Sequence, residues 1–476
     1  MPFPCISHHG GTEGVTGSCH QLHLNPMLSL LVDCGLAQGS DARPGTDAEP
    51  VGFEINGICA LIVTHVHLDH VGRIPAPLAA GYRGPVICSE PSAALLPLVL
   101  EDAYRLTISN DSAHIEHYLG IVRALIVPLA YDRWHFVVQR GDLSCAIRLR
   151  CAGHLLGSSY VECDVRSQQS DLRIVFSGDI GPHGNPLLNP VQPPERADVL
   201  VLESTYGDRL HPPRDCRREQ LEHLIDRALQ DRGTILIPAF SLGRTQELLF
   251  EIEDILHQKA LVGDPHVLMG ADAFRWSQLP IILDSPLAQR ITAVYRQLHQ
   301  HWNEQARTKI VQGRDPLGFG QLVTVDSHSR HLQVVNYLRS TGRPAIVIAG
   351  NGMCSGGRIV RYLKAMLPEP RHEVMFVGYQ VKGTPGAAIQ ASQGAQGPGR
   401  VELDGEFVEI RAKVMTMSGY SGHADQAGLS HFALCTLRPP SRIVLVHGTA
   451  GAKSALRDRL IGIFESMGRE VAVSIP

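Results

Sequence analysis

The chain has 476 residues, 44 % of them apolar, which suits a globular protein of one or two domains with sizeable cores. Its formal net charge of -4 argues against a uniformly basic surface for nucleic acid, although a local groove of arginines would not appear in that sum. No apolar run approaches membrane-spanning length, and the beginning MPFPCISHHGG lacks the charged and apolar regions of a signal peptide. We therefore expect a cytoplasmic protein with no membrane partner.

The cysteines add a second exclusion. All 11 are scattered between Cys5 and Cys435, none belongs to a C-x-x-C pair, and most have apolar neighbours. This distribution predicts reduced, buried residues, and it argues against disulfides and zinc ribbons.

The predicted elements change in character along the chain. The first part is rich in short strand-like runs, at 28–33, 58–64, 144–153, 159–165, 172–178 and 197–203. From about residue 209, helix-like DCRREQLEHLIDRALQDRG is followed by strand-like TILIPAF, and then LPIILD, PAIVIAG and EVMFVG alternate with further helical stretches. Regular alternation of this kind predicts a largely parallel sheet with helices on both faces.

The strand-rich pattern returns after the glycine-rich stretch 386–400. It ends in RIVLVHG, a helical stretch and EVAVSIP. The sequence therefore predicts one α/β domain made of 1–208 and 401–476, interrupted by an inserted α/β domain at 209–400.

Metal-binding side chains collect where predicted strands end. His65 and His67 of HVHLDH are two residues apart at the end of a strand, so their imidazoles should point to the same side and could share one ion. A turn into the next helix would swing Asp69 and His70 toward a second ion. Other strand ends offer His154, Asp179 and His447. These ligand types suit zinc, and although one such histidine alone would usually be a packing residue, a cluster of this size seldom arises by chance.

Four stretches resemble, in order, the motifs of the metallo-β-lactamase superfamily: LVDCG, HVHLDH, GHLLGS and SGDIG. The resemblance implies an αββα sandwich formed by 1–208 and 401–476. It also implies two zinc ions, one held by His65, His67 and His154, the other by Asp69, His70 and His447, with Asp179 bridging them. Asp33 would orient the ligands from outside that set.

Further stretches resemble the β-CASP branch, whose members are nucleases with an insertion of this kind, such as the cleavage and polyadenylation endonuclease and its bacterial relatives. These are LESTYGDR, IPAFSLGRTQELL, GNGMCSGGRIVRYLK and SGYSGHAD. The resemblance implies that 209–400 is the β-CASP domain and that Glu203, His423 and His447 mark the active site. His423, oriented by Glu203, would contact the scissile phosphate, with Asp69 and Asp179 as the other catalytic residues. The spelling departs from the branch in GYSGHAD, where Phe and Ala are common, in GNGMCSGG, where Ser and Thr are common, and in HGT, where an acidic residue is common.

Two loops of the inserted domain are candidate phosphate sites. Ser241 is expected to cap the helix containing GRTQELLFEIEDIL, whose free N–H groups would bind an anion together with Arg244. CSGGR repeats this arrangement before a second helix. The predicted phosphate- and RNA-binding residues are Ser241, Arg244, Ser355, Gly356, Gly357 and Ser421. Ordinary capping and tight packing is the alternative for each loop, and the arginines of DCRREQ and the Arg and His of TVDSHSRH are predicted to form a solvated face.

The predicted function is a zinc-dependent ribonuclease that hydrolyses RNA phosphodiester bonds by a two-metal mechanism in which the ions activate water. Single-stranded RNA is the expected partner. Endonuclease and 5′-exonuclease modes both stay open, and so does a homodimer. Two alternatives are a zinc hydrolase of a small substrate and a non-catalytic RNA-processing subunit, the latter disfavoured because all seven expected ligands are present.

Overall fold

The computed structural model describes the chain except for residues 1–2, 38–50, 169, 215, 265, 269–273, 379, 395–396, 398, 418 and 435. It divides into two compact units, Met1–Leu210 with His423–Pro476, and His211–Gly422. Across the described residues, no helix combines the length and the apolar character that a bilayer span requires. The ten described cysteines are free thiols, as predicted, although Cys5, Cys59, Cys151 and Cys216 are only half-buried; Cys435 lies outside the described residues.

The segment up to residue 210 supplies most of the first unit. Its strands are β1 (Cys5–Gly10), β2 (Cys19–Asn25), β3 (Leu28–Val32), β4 (Ile58–Ile62), β5 (Val86–Ser89), β6 (Ile126–Leu129), β7 (Trp134–Arg140), β8 (Leu143–Cys151), β9 (Ser159–Ser167), β10 (Ser170–Phe176) and β11 (Val199–Glu203). Its helices are α1 (Leu68–Val71), α2 (Pro75–Ala79), α3 (Glu90–Thr107) and α4 (Ser112–Leu125). All six strand-like runs predicted here form strands.

The segment 211–422 forms the second unit. Its strands are β12 (Thr234–Pro238), β13 (His266–Leu268), β14 (Phe274–Arg275), β15 (Ile281–Asp284), β16 (Leu322–Thr324), β17 (Ala345–Ala349), β18 (Glu373–Phe376), β19 (Gly399–Leu403), β20 (Glu406–Ile410) and β21 (Lys413–Thr416). Its α-helices are α5 (Arg217–Gln230), α6 (Arg244–Leu261), α7 (Pro286–Gln297), α8 (Glu304–Val311), α9 (His328–Thr341), α10 (Arg358–Met366) and α11 (Pro385–Ala391). Short 3₁₀ turns occupy Trp276–Gln278 and His299–His301.

Six of these strands form the parallel sheet that the alternating pattern predicts. Their order is β16-β15-β17-β12-β18-β21, and each neighbouring pair is parallel. The remaining strands form two antiparallel hairpins, β13 with β14 and β19 with β20. The four inner strands, β12, β15, β17 and β18, are buried throughout, which explains their continuous apolar sequences.

The last segment returns to the first unit and completes its second sheet. It contains α12 (Gln426–Leu434), β22 (Arg442–Val446), α13 (Ala450–Ser466) and β23 (Ala472–Ser474). Strand β22 pairs in parallel with β11, which gives a seven-stranded sheet of order β23-β22-β11-β10-β9-β8-β7. The other sheet has six strands in the order β1-β2-β3-β4-β5-β6.

The two sheets of the first unit pack face to face. One apolar core joins Leu22, Val32 and Ile62 of the six-stranded sheet to residues of the other sheet such as Ile147 and Val161. A second core packs α12 and α13 on the outer face of the seven-stranded sheet, and α3 lies against β5 and β6 of the other sheet. The predicted αββα sandwich with an inserted, mostly parallel α/β domain is confirmed.

The boundary after the insertion differs from the prediction. The sequence placed the return to the first domain at 401, whereas the second unit extends to Gly422. Non-local packing is the reason: β21 pairs in parallel with β18, and apolar side chains of the β19–β20 hairpin, including Val401 and Ile410, join the core of the second unit. The glycine-rich stretch that suggested the boundary contains most of α11.

Candidate metal centre

The predicted ligands lie in loops at strand ends of the first unit. β4 ends at Ile62, two residues earlier than the predicted run 58–64, so His65 and His67 lie in the loop that follows it, while Asp69 and His70 lie on α1. His154, Asp179 and His447 follow β8, β10 and β22. These three strands run in one direction, so their carboxyl ends share an edge of the sheet. The strand order therefore brings together residues that are far apart in sequence.

The first ligand group consists of three imidazoles and one carboxylate oxygen. His67 Nδ1 lies 3.2 Å from His65 Nε2 and 3.1 Å from His154 Nε2. The Asp179 Oδ2 atom completes the group at 3.4 Å from His65 Nε2 and 3.5 Å from His154 Nε2. Separations of this size are close to the edge of a zinc tetrahedron, about 3.3 Å for metal–nitrogen bonds of about 2.0 Å.

The second group surrounds the other oxygen of the same carboxylate. Asp179 Oδ1 lies 3.2 Å from His70 Nε2 and 3.5 Å from His447 Nε2. Asp69 Oδ2 is 3.9 Å from His70 Nε2 and 3.8 Å from His447 Nε2. Asp179 thus presents one oxygen to each group, which is the geometry that a bridging ligand requires.

The electrostatics of the two groups differ. In the second group, burial lowers the pKa of His70, but attraction to Asp179 and Asp33 outweighs this and raises it, whereas the first group already suits a metal. Burial lowers the pKa of His65 to about 3 and that of His67 to about 4, so both imidazoles are neutral and can offer a lone pair. Burial also raises the pKa of Asp179, but the surrounding imidazoles outweigh it and hold that carboxyl ionised. His70 Nε2 and Asp179 Oδ1 are buried without a hydrogen bond in the described part of the chain. Such atoms are costly unless a cation satisfies them.

Asp33 fixes the orientation of the His70 ring by binding its Nδ1 atom. Its Oδ2 atom lies 2.7 Å from His70 Nδ1 and accepts a hydrogen bond from the Thr64 hydroxyl at 2.8 Å. The Asp33 backbone has a φ of 59°, in the left-handed region that aspartate tolerates better than most residues. Because Nδ1 of His70 is engaged with Asp33, its Nε2 is the atom that faces Asp179.

Glu203 and His423 form a separate pair beside the ligand groups. His423 Nδ1 lies 3.2 Å from both Glu203 carboxylate oxygens, and Oε1 of Glu203 also accepts a hydrogen bond from the Ile180 N–H at 2.7 Å. Asp179 Oδ2 is 3.8 Å from His423 Nδ1. Burial lowers the pKa of His423, but attraction to Glu203 and Asp179 outweighs this and raises it to about 9. Glu203 therefore orients an imidazole that borders the metal-binding groups.

The loop after β12 is built differently from the prediction. Gly243, with a φ of 84°, is the N-cap of α6, and the predicted cap by Ser241 is wrong. Ser241 Oγ instead lies 3.1 Å from Ser285 Oγ. Arg244 is only 9 % exposed, and its Nη1 donates to the Tyr420 carbonyl at 2.8 Å and to the Glu247 carboxylate. Its guanidinium is thus engaged within the second unit.

The CSGGR loop keeps part of its predicted character. Gly357, with a φ of 74°, precedes α10, and a Cβ at this position would lie 2.7 Å from the Gly350 carbonyl oxygen. Ser355 is exposed, and a Cβ added at Gly356 would meet no atom within 4 Å. Arg358 does not face solvent with them, because its Nη1 donates to Asp284 Oδ1 at 2.5 Å and to a backbone carbonyl.

Two residues predicted to be solvated are buried. Arg217 of DCRREQ is 4 % exposed, and His331 of TVDSHSRH is buried with its Nδ1 2.7 Å from Asp284 Oδ2. A signal for Arg217 was available, because it precedes Leu221 by four residues and Leu224 by seven and so lies on the apolar face of α5. The positive charge alone favours an exposed position, whereas the spacing correctly indicates a buried one.

Comparison with known proteins agrees with the geometry. Three family descriptions match: the metallo-beta-lactamase superfamily over residues 28–239, the Beta-Casp domain over 245–389, and the Zn-dependent metallo-hydrolase RNA specificity domain over 408–474. Together with the two ligand groups, these descriptions identify a metal cofactor site.

Similar proteins extend over most of the chain. Ribonuclease TTHA0252 of Thermus thermophilus is 36 % identical over 442 residues, which cover 92 % of each chain. Transcription termination factor FttA of Methanococcus maripaludis is 30 % identical over 458 residues, covering 92 % of this chain but 66 % of that relative. The protein of the same name from Methanosarcina mazei is 29 % identical over 454 residues, with the same two shares.

Proposed function

Because the chain belongs to the β-CASP branch of the metallo-β-lactamase superfamily, we propose that it is a zinc-dependent ribonuclease, a metal-dependent hydrolase of RNA phosphodiester bonds. One observation carries the proposal: the two oxygens of Asp179 face two separate ligand groups, which suits a pair of adjacent ions. A relative named as a ribonuclease and a family description that specifies RNA support the choice of substrate.

The proposed cofactor is two zinc ions for each chain. Their ligands are His65, His67 and His154 for one ion, Asp69, His70 and His447 for the other, and Asp179 for both. Imidazole and carboxylate together favour zinc over magnesium or calcium, which prefer oxygen ligands alone. When bound, zinc supplies positive charge to a phosphodiester and lowers the pKa of an attacking water.

The protein's own side chains provide orientation and proton transfer. Glu203 holds Nδ1 of His423, so Nε2 of that ring is the atom that addresses the scissile phosphate. We assign it a hydrogen bond to a phosphate oxygen, followed by proton donation to the leaving oxygen. Asp69 is more exposed than its neighbours His70 and Asp179, so its carboxylate can accept a hydrogen bond from the attacking water.

Single-stranded RNA is the proposed substrate. In an unpaired strand, each phosphate and each 2′-hydroxyl is accessible to the protein. The 2′-hydroxyl is the group that distinguishes RNA from DNA. Ser241, Ser355, Gly356, Gly357 and Ser421 remain the proposed contacts to RNA phosphates in the second unit, while the engaged guanidinium of Arg244 makes it a weaker candidate.

The test is a matched pair of labelled oligonucleotides, RNA and DNA of one sequence, incubated with zinc-loaded protein. We expect cleavage of the RNA, slow or no cleavage of the DNA, and neither with the Asp69→Ala variant. Equal or faster cutting of DNA would overturn the assignment to RNA. If neither strand is cut while zinc is bound, the small-substrate hydrolase or the non-catalytic RNA-processing subunit replaces the ribonuclease.

A further inference from the structure

Three arginines of the second unit donate to three consecutive backbone carbonyls, and we call them the arginine clamp. The pairs are Arg217 with Gly419 at 2.9 Å, Arg244 with Tyr420 at 2.8 Å and Arg214 with Ser421 at 2.6 Å. One carbonyl is thus held by each arginine. This segment, SGYSGH, leads directly to His423, which lies two residues after the last held carbonyl.

Two buried glutamates bind two of the three clamp arginines. Arg217 Nε donates to Glu251 Oε1 at 2.7 Å, and Arg217 Nη1 is 3.1 Å from Glu247 Oε1. Arg244 Nη1 donates to the other oxygen of Glu247. Glu247 and Glu251 follow Arg244 by three and seven residues, so all three lie on one face of α6. Buried ions of both signs are expensive to desolvate, and removing one partner leaves the other uncompensated.

The side chain of Tyr420 adds a further link between the segment and the clamp. Its hydroxyl donates to Glu251 Oε2, and its ring lies 4.9 Å from the Arg217 guanidinium carbon. A phenylalanine would keep the ring contact and lose the hydrogen bond. The Tyr420 side chain is therefore tied to Glu251, which also binds Arg217 of the clamp.

We propose that Arg214, Arg217 and Arg244 are positioning residues for His423. SGYSGH contains two glycines, Gly419 and Gly422, and glycine has the greatest backbone freedom of all residues, so the bonds to three consecutive carbonyls restrict this segment. A displacement of about 1 Å at a catalytic group can lower the rate by about 10²-fold. The inference rests on the role given to His423 in the proposed function, and it assigns no substrate contact to the arginines.

The first test follows the ring of His423 without any substrate. Protein labelled with ¹³C in its histidine rings gives one signal that disappears in His423→Ala, and this signal belongs to His423. We expect it to shift or broaden in Arg244→Lys and, to a smaller extent, in Tyr420→Phe. Arg218→Lys is the matched control, because Arg218 lies on the same helix as Arg217 with 40 % of its side chain exposed. An unchanged signal in both clamp variants, each shown to be folded by thermal unfolding, would overturn the proposal.

The second test combines the variants. Arg244→Lys should lower kcat about 10- to 100-fold with zinc content and KM unchanged, but should cause no further loss in the His423→Ala background. Equal losses in both backgrounds would mean that the clamp does not act through His423. If Arg244→Lys fails to fold, Tyr420→Phe takes its place, since it removes a single hydroxyl. If the wild-type protein cuts no RNA, the proposed function fails, while the ring signal still decides the role of the clamp.

Discussion

The two units differ in how their buried charged and polar side chains are arranged. In the first unit, imidazoles and carboxylates converge while His70 Nε2 and Asp179 Oδ1 lack hydrogen bonds in the described part of the chain. In the second unit, the guanidinium groups of Arg217 and Arg244 are neutralised by Glu247 and a further glutamate. Several metal-binding side chains that converge on one point favour a bound ligand there, whereas oppositely charged groups that pair are stabilised without one and can support a backbone. The histidine–aspartate cluster of the first unit is therefore a candidate ligand site, whereas the arginine–glutamate cluster of the second unit supports the structure.

The largest effect is expected from removing Asp179, the ligand that both groups of the first unit share. Asp179→Ala should lower RNA cleavage at least about 10³-fold and remove zinc at the same time, because one carboxylate serves both ligand groups. Elemental analysis and a cleavage assay measure the two effects. Asp171→Ala is the control, since Asp171 is an exposed aspartate at the start of β10, at the opposite end of the strand from the loop that carries Asp179. Full zinc content with full activity in Asp179→Ala would refute the bridging role.

His423 is expected to differ from the metal-binding histidines of the first unit, because it is assigned to the phosphate and not to zinc. His423→Ala should lower kcat about 10²- to 10³-fold while zinc content stays unchanged, because its Nδ1 is bound to the Glu203 carboxylate. His183→Ala, an exposed imidazole of the same unit, should leave both quantities unchanged. Loss of one zinc equivalent in His423→Ala would move His423 into the ligand set.

The paired charges of the second unit should matter for stability. Glu247→Ala leaves the buried Arg217 and Arg244 with too little negative charge, and we expect the free energy of unfolding to fall by about 3–5 kcal/mol. The matched change Glu116→Ala breaks an exposed ion pair with Arg123 and should alter stability by less than about 1 kcal/mol. Denaturant unfolding measures both. Similar small losses in the two variants would contradict the view that the cluster supports the unit.

His372 is a buried histidine of the second unit whose ring has a hydrogen-bond partner in the protein backbone. It offers a contrast to the metal-binding histidines of the first unit. Its Nδ1 accepts a hydrogen bond from the Thr234 N–H at 2.9 Å, and burial lowers its pKa from 6.5 to about 4. The unfolded chain therefore binds a proton on His372 more readily than the folded chain does. The contribution of the neutral ring to the free energy of unfolding is present above about pH 6.5 and is lost as pH falls toward 4. Unfolding should become easier by about 1 kcal/mol between pH 7 and 5.5, and His372→Gln should flatten that dependence. An unchanged slope in the variant would show that another group titrates.

Much of the first unit could be predicted from the sequence because its signals are local. Apolar runs gave the strands, and HVHLDH together with His154 and Asp179 at other strand ends gave the metal-binding cluster, since parallel strands bring their carboxyl ends together. Local patterns could not reveal that β21 pairs with β18, so the end of the insertion was placed too early. They also could not reveal the partners of Arg244, because Tyr420 lies 176 residues away in sequence.

The central claim is that the cluster of the first unit holds two zinc ions on either side of Asp179. Anomalous diffraction from crystals of zinc-loaded protein, measured at the zinc absorption edge, tests it directly. We predict two peaks, one among His65, His67 and His154 and one among Asp69, His70 and His447, each next to one oxygen of Asp179. A single peak, or peaks of equal height elsewhere in the molecule with none at this carboxylate, would contradict the two-zinc account.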